Sequence, residues 1–368
     1  MKIIHICSSA MSFRFFLREH LINLAREGRC VIAVCGEDDK EEASFFEAHD
    51  IRFIYIPIER KISLFSDLKS LLRLIFLFLK YRPDVVHTHT PKASLLGTLA
   101  GRITAVRKVF FHCHGLSFIR YNEITSNVGY FIERLPILFA HKTLAVSPSL
   151  ASYLVKNNHS FGKHISVLGA GSICGVDMSL FSLPPRLPRE SRLNEEPFVI
   201  GYLGRVNEDK GMSIFIAVID RLRMLGLNVR GKVAGMIDGA DSINFPYSID
   251  YVGSVTREEA PDFLGSCNVF LFPSCREGFG MAAAEASAME LPVIAFDIVG
   301  IKDVVIDGET GFLVYPGDVD GMVERANLLF SSPELCLSLG RNGRKYILDN
   351  FSQEKVLGDF SDFYLKNI

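Results

Sequence analysis

The stretch that most constrains the fold is a strand, a glycine loop and a helix confined to residues 269–292. Val269-Phe270-Leu271-Phe272-Pro273 is a short apolar run with the pattern of a buried strand. Met281 to Met289 are good helix formers, and Pro292 closes them off. Glu277 therefore falls on the strand-to-helix loop, and Glu285 in the second turn of the helix. Gly278 and Gly280 let backbone N–H groups approach a ligand closely, and a helix N-terminus favours an anion. Two carboxylates beside an anion make chemical sense when they face hydroxyls. A diphosphate with a sugar at one end and a ribose at the other satisfies all three elements.

The rest of the chain repeats this alternation. Strands are predicted at Lys2 to Cys7, Cys30 to Cys35, Arg52 to Ile56, Asp84 to His89, Lys108 to His112 and Thr143 to Val146, with helical patterns between them. This half reads as a doubly wound parallel sheet. Gly169, Gly171 and Gly175, followed by Pro184, Pro185 and Pro188, mark a linker. A second series of strands follows at Phe198 to Gly204, Val229 to Gly235, Ile249 to Gly253 and Val293 to Phe296, with a hairpin-like return over Gly308 to Val314. The division is thus residues 1–182, joined by a terminal helix at 355–368, and residues 183–354. A chain of 368 residues is long enough for each domain to bury a core.

Charge separates the halves. The net charge is −2, but residues 1–182 carry +7 and residues 183–368 carry −9. That split argues against a nucleic-acid stripe and for one half facing something anionic. The helical pattern at Ile62 to Lys80 has a core stripe of Leu64, Phe65, Leu68, Leu71, Leu72, Phe76 and Leu79. Leu74, Leu77 and Phe78 widen it beyond one buried face, and Arg60, Lys61, Lys69, Arg73, Lys80 and Arg82 surround it. A basic and aromatic tract with Phe118, Arg120, Tyr121, Tyr130, Phe131, Arg134 and Phe139 follows. Such surfaces rest on anionic leaflets, whereas a thick core helix is the simpler alternative.

The eight cysteines are scattered without a Cys-x-x-Cys pair, which fits a reduced, cytoplasmic protein without a zinc or disulfide framework. Met1 leads directly into the first strand, so no signal peptide is expected. The most apolar run, Leu71 to Leu79, is too short to span a bilayer. His87-Thr88-His89 and His112-Cys113-His114 sit at strand ends with i,i+2 spacing, but no acidic third ligand lies nearby, so no metal site is expected. Asp318-Val319-Asp320 opens a helix after Pro316-Gly317, where N-capping explains it better than metal-bound diphosphate.

Taken together, Glu277, Gly278, Phe279, Gly280 and Glu285 resemble the Glu-x7-Glu signature of retaining GT-B glycosyltransferases, the family 4-like enzymes that use nucleotide-activated sugars. A strand ending in Gly204-Arg205, with Lys210 five residues on, resembles that family's diphosphate clamp. The resemblance implies two Rossmann-like α/β domains facing across a cleft. The N-terminal domain would bind acceptor and the C-terminal one the nucleotide sugar. It further implies that His114, followed by Gly115, contacts the donor sugar, and that Val252, Gly253 and Ser254 line the nucleobase pocket. Glu277 would hold sugar hydroxyls and Glu285 the ribose diol. Arg14, Arg18, Lys92 and Arg120 are candidates for holding an anionic acceptor. Two departures stand out: Ser8-Ser9-Ala10-Met11-Ser12 replaces a Gly-Gly loop, and Met236 to Asp241 replaces a glycine-rich turn.

The implied activity is retaining, metal-independent transfer of a sugar, with an N-acetylhexosamine favoured, from a UDP-sugar to a polyprenyl-diphosphate-linked acceptor. No cofactor is implied. The setting would be O-antigen, capsule or lipopolysaccharide assembly, at the cytoplasmic face of the membrane and held to it peripherally. A nucleotide-sugar 2-epimerase of the same fold and a non-catalytic sugar-nucleotide-binding protein are the alternatives. A dehydrogenase would need Gly-x-Gly-x-x-Gly after the first strand, which is missing.

Overall fold

The computed structural model describes residues 1–59, 63–116, 119–120, 123–124, 127–157, 159–182, 197–238 and 245–368, with backbone alone at 119–120, 123–124 and 127–132. The chain divides into two compact units, Met1–Gly175 with Glu354–Ile368, and Val176–Gln353. Arg60, Lys61, Phe118, Tyr121, the prolines at 184, 185 and 188, and residues 239–241 lie outside the description, as do the side chains of Arg120, Tyr130 and Phe131.

The first unit holds β1 (Lys2–Cys7), β2 (Cys30–Cys35), β3 (Arg52–Tyr55), β4 (Val85–Thr88), β5 (Lys108–Cys113), the two-residue β6 (Ile119–Arg120) and β7 (Glu123–Ile124), β8 (Lys142–Ala145) and β9 (Ile165–Val167). Seven of these form a parallel sheet in the order β3-β2-β1-β4-β5-β8-β9, while β6 and β7 pair antiparallel. Its helices are α1 (Arg18–Arg26), α2 (Lys40–Glu47), α3 (Leu64–Tyr81), α4 (Pro91–Ile103), α5 (Asn127–Phe139) and α6 (Pro148–Lys156). Strand order reverses between β1 and β4, which opens a crevice beyond their carboxyl ends.

The second unit holds β10 (Phe198–Leu203), α7 (Met212–Met224), β11 (Val229–Ala234), β12 (Ile249–Tyr251), α8 (Ala260–Gly265), β13 (Val269–Phe272), α9 (Met281–Ala288), β14 (Val293–Phe296), β15 (Gly311–Val314), α10 (Val319–Ser331) and α11 (Pro333–Phe351). Its parallel sheet runs β12-β11-β10-β13-β14-β15, with the reversal between β10 and β13. The final helix, α12 (Gln353–Asn367), belongs almost wholly to the first unit. Both sheets are buried on their two faces, as the fully buried Val269, Phe270 and Leu271 illustrate.

Several expectations change. The return over Gly308 to Val314 is no hairpin: Gly311–Val314 pairs parallel with β14 as the edge of the sheet. Helix α11 and the short edge strand β9 carried no clear signal of their own. Residues Phe13–Leu17 form a π-helical turn ahead of α1. The unit boundary falls after Gly175 rather than after residue 182, because Val176 bonds the segment beyond α11. Val176 N donates to Phe351 O (2.8 Å), and Gln353 N donates to Val176 O (2.8 Å).

The faces of α3 are inverted relative to the sequence reading. Leu74, Leu77 and Phe78 are buried against Ile4, Ile6, Leu96 and Ala100. The expected core residues Leu64, Phe65 (84% exposed), Leu68, Leu72, Phe76 (70% exposed) and Leu79 stand in solvent on the opposite face. The helix has two apolar stripes, and periodicity alone does not say which one meets the sheet. Lys69, Arg73 and Lys80 are exposed along one flank of the open stripe.

Gly211 shows how tightly the loops at the second sheet's reversal are fitted. It has φ +76°, and a Cβ there would lie 2.1 Å from Pro273 O. Gly226 has φ +82° with nothing within 4 Å of a Cβ. Gly226→Ala should therefore cost only the left-handed backbone penalty of about 1 kcal/mol. Gly211→Ala should cost at least about 1–2 kcal/mol more, because the loop beyond β13 must move. Urea unfolding of the two variants measures the difference, and equal losses would show that these loops are not packed together.

Candidate active site

In the second unit the polar groups gather beyond β10 and β13, where the strand order reverses. Arg205 follows β10 directly and its Nη1 pairs with Asp238 Oδ2 at 2.6 Å, both side chains being about half exposed. Asn207 caps the next turn, its Oδ1 accepting from Lys210 N at 3.0 Å. That turn aims Lys210 at the loop beyond β13, where Nζ meets Glu277 Oε1 at 2.5 Å. Cys275 N donates to Asp209 O at 3.0 Å, so backbone as well as charge ties the two loops.

The glycine loop then turns into α9. Gly280 has φ +96° at the N-cap. Phe279 is buried, its ring 4.9 Å from that of Phe351, so its side chain serves the core and only its backbone is available to a ligand. Glu285 lies in the second turn of α9. Burial drives its carboxyl up to about 7, and the nearby charge of Arg257 draws it partly back. Val252, Gly253 and Ser254 follow β12 on a loop laced to the one beyond β11, with Gly235 N donating to Gly253 O at 2.8 Å.

In the first unit six of the ten histidines form one cluster. His5 on β1, His87 on β4 and His112 on β5 are buried, as are His89 just past β4 and His20 on α1. His114, just past β5, is half-buried. His5 Nδ1 lies 3.0 Å from His89 Nε2, and His89 Nδ1 lies 3.0 Å from His114 Nε2. Helix α12 covers the cluster, with Phe360 packed 4.2 Å from His20 and the Tyr364 hydroxyl bonded to His87 and His5. Burial lowers the pKa of His5 to about 3 and of His114 to about 4, so both are neutral at pH 7.

Two trios, His5-His87-His89 and His89-His112-His114, bring ring nitrogens within 4.8 Å of one another, the spacing a metal would need. Sequence spacing had shown only the pairs; the strand register assembles the trios. Among the described residues no carboxylate joins either trio to balance a divalent charge. Asp318 caps α10 by accepting from Gly321 N at 2.9 Å, as its position after Pro316-Gly317 suggested. Asp320 pairs with Arg221.

The basic residues singled out for an acceptor have partners of their own. Arg14 meets Asp39, Glu41 and Glu42 at 3.2–3.3 Å, and Arg18 meets the fully buried Glu42 at 2.6 Å. A buried carboxylate must be paired, so both arginines are committed to Glu42. Lys92 is buried on α4 with Nζ 2.5 Å from Asp67 Oδ1. The side chain of Arg120 lies outside the description. Asp238 and Arg257 were not identified from sequence, because their partners Arg205 and Glu285 are distant in the chain.

Two doubly wound parallel units of this kind define the GT-B class. The family description "Glycosyltransferase Family 4" matches residues 16–171, and "Glycosyl transferases group 1" matches residues 185–346. The chain is 33% identical over 371 residues to the capsular polysaccharide biosynthesis glycosyltransferase CapM of Staphylococcus aureus, covering 99% of this chain and 96% of that one. It is 25% identical over 331 residues to the UDP-Gal:alpha-D-GlcNAc-diphosphoundecaprenol alpha-1,3-galactosyltransferase of Escherichia coli, covering 86% and 84%. In fold it is similar to Anabaena HepE in complex with UDP and glucose, with a TM-score of 0.78 at 18% identity and full coverage of both chains. The chain belongs to the group 1, family 4-like glycosyltransferases, and it is a transferase.

Glu285 gives a pH signature. Its folded value of about 7 stands above the ordinary 4.5, so folding favours the protonated acid. Ionisation is easier in the unfolded chain, so stability falls as pH rises from about 4.5 to about 7 and then levels off. Glu285→Gln removes this effect. Its stability relative to the native chain should rise by on the order of 2–3 kcal/mol between pH 4.5 and 8, read by urea unfolding. A difference that does not change with pH would place the Glu285 carboxyl in solvent.

Proposed function

We propose that the protein moves a sugar, retaining its anomeric configuration, from a UDP-sugar to a polyprenyl-diphosphate-linked sugar during cell-surface polysaccharide assembly. The observation that carries this reading is the pairing of Lys210 with Glu277, beside Arg205 and the glycine loop, where strand order reverses in the second sheet. Crevices of that kind hold nucleotides in open α/β sheets. Arg205 supplies a planar fork of donors and Lys210 a point charge for the leaving diphosphate. Backbone near Gly278 and Gly280, at the start of α9, adds to the field that stabilises it. Glu277 accepts from sugar hydroxyls and Glu285 from the ribose diol. Residues 252–254 border the base, and His114 orients the sugar.

Glu277 is a poor nucleophile because it is held by a lysine, and this supports attack on the same face as the departing diphosphate rather than a covalent intermediate. The cations of the clamp take the role a metal would otherwise fill. The sugar nucleotide named for the Escherichia coli relative supports UDP as carrier, and its acceptor supports a lipid-linked diphosphate. The Staphylococcus relative's name supports capsule-type polysaccharide. An N-acetylhexosamine remains the favoured donor sugar.

The direct test incubates purified protein with UDP- and GDP-sugars and a polyprenyl-diphosphate-linked N-acetylglucosamine. Transfer should occur from a UDP-sugar, persist in excess EDTA, and give a product whose anomeric configuration matches the donor's by NMR. Glu285→Ala should weaken UDP binding roughly a hundredfold, the cost of losing two charge-assisted hydrogen bonds. Full loss in EDTA, restored by Mg²⁺, would overturn the cation clamp. Inverted product would overturn same-face attack.

The open face of α3 supports a location on the membrane surface. Among the described residues no helix is long and apolar enough to cross a membrane. Leu64, Phe65, Leu68, Leu72 and Phe76 instead form an exposed stripe flanked by Lys69, Arg73 and Lys80, the pattern of a helix lying in an interface. Each basic side chain adds about 1 kcal/mol at an anionic leaflet. The protein should sediment with anionic liposomes, be released by high salt, and lose binding in Arg73→Glu/Lys80→Glu and in Phe76→Asp. Indifference to anionic liposomes, with equal transfer to a soluble sugar, would remove the membrane from this reading.

A further inference from the structure

The buried histidines are linked head to tail. His87 Nδ1 bonds the Tyr364 hydroxyl, which also lies 3.3 Å from His5 Nε2. His5 Nδ1 meets His89 Nε2 at 3.0 Å, and His89 Nδ1 meets His114 Nε2 at 3.0 Å. All of these rings are neutral because burial disfavours their charge, and Tyr364 keeps its proton for the same reason. A neutral imidazole has one donor and one acceptor nitrogen. A hydroxyl placed between two rings donates to one and accepts from the other. The whole chain therefore has only two proton arrangements, one running toward His114 and one running away from it.

The far end selects between them. Among the described residues, His87 Nε2 is buried without a hydrogen-bond partner. If protons ran away from His114, Tyr364 would donate to His87 Nδ1 and leave a buried, unpaired N–H at Nε2. If they run toward His114, His87 donates from Nδ1 and leaves only an unpaired lone pair. Orphaned N–H groups are the rarer and costlier case.

We propose that His5, His87, His89 and Tyr364 are positioning residues that fix His114 as its Nδ1–H tautomer, so that it presents a hydrogen-bond donor to an oxygen of the sugar. In this tautomer Nε2 of His114 accepts from His89, and Nδ1–H ends the chain on the half-buried ring. The Phe16 ring, T-shaped to the imidazole with centroids 6.2 Å apart, helps hold its orientation. Tyr364 lies on α12, so the last helix of the first unit supplies the hydroxyl that joins His87 to the chain. A metal in the His5-His87-His89 trio would have to break this chain, since the nitrogens His5 and His89 turn toward each other already share a proton.

This rests on the reading of His114 as the residue that meets the sugar, and the test separates the two. Nitrogen-15 NMR of histidine-labelled protein at pH 7, with His114 assigned through His114→Gln, reports its tautomer directly and needs no substrate. The expected result is Nδ1–H in the native chain. Tyr364→Phe leaves His5 Nε2 as the buried end, where the same rule keeps His114 as Nδ1–H. His89→Ala instead removes the partner of His114 Nε2 and should let His114 shift toward Nε2–H. The kcat for sugar transfer should then fall about tenfold while KM for the sugar nucleotide stays unchanged. A native His114 protonated at Nε2 overturns the proposal, as does a tautomer unmoved by His89→Ala or one stoichiometric metal ion in the purified protein. Undiminished transfer by His114→Ala would instead remove His114 from the sugar, whatever the tautomer shows.

Discussion

A parallel strand with helices on both sides has no face left for water, so polar chemistry is confined to the strand ends. Both sheets obey this constraint, and both place their reactive groups where neighbouring connections diverge: beyond β1 and β4 in one unit, beyond β10 and β13 in the other. Arg205, Lys210 and Glu277 belong to the second of these ends, and His89 and His114 to the first or its neighbouring strand. The apolar cores are what make such ends rigid. Fully buried Phe270 and Leu271 anchor the strand whose next residues carry the glutamate loop.

Several sheltered charges among the described residues are held close to opposite charge. Glu42 is wholly buried and held by two arginines, and Lys92 and Asp67 form a sheltered pair. Lys210 and Glu277 neutralise each other. Glu285 departs from this pattern: its carboxyl is buried with only the field of Arg257 to offset desolvation. A group left under-solvated in the free protein gains more from two ligand hydroxyls than a hydrated one would, which fits the ribose role proposed for it.

Much of the architecture was legible because a strand buried on both sides writes a short, nearly continuous apolar run. Cys30–Cys35 and Val293–Phe296 were read to the residue for that reason. The return at Gly311–Val314 was misread because its glycine-rich approach looks like a hairpin turn, and nothing local distinguishes a parallel edge strand from one. On α3 the error was of another kind. The helix has two apolar stripes, and which one is buried depends on Ile4, Ile6 and Leu96, far away in sequence. Glu277 and Glu285 stood out through their placement after a strand, and Lys210 through the resemblance that it carries with Arg205. Asp238 and Arg257 did not, because their partners are distant in the chain, and of the histidines only the pairs were legible, because register between strands assembles the trios.

The second unit is an insertion within the first. Residues Val176–Gln353 come between the sheet that begins at Lys2 and the helix that covers its histidines. A growing chain must therefore make the whole second unit before Phe360, Phe363 and Tyr364 exist to close the first. The first sheet waits with part of one face uncovered while its neighbour folds, so the part of the protein synthesised earliest is completed last. Histidines are well suited to that exposed interval. Water can satisfy their nitrogens until α12 arrives, whereas a wholly aliphatic face in the same place would offer a nascent chain a surface on which to aggregate.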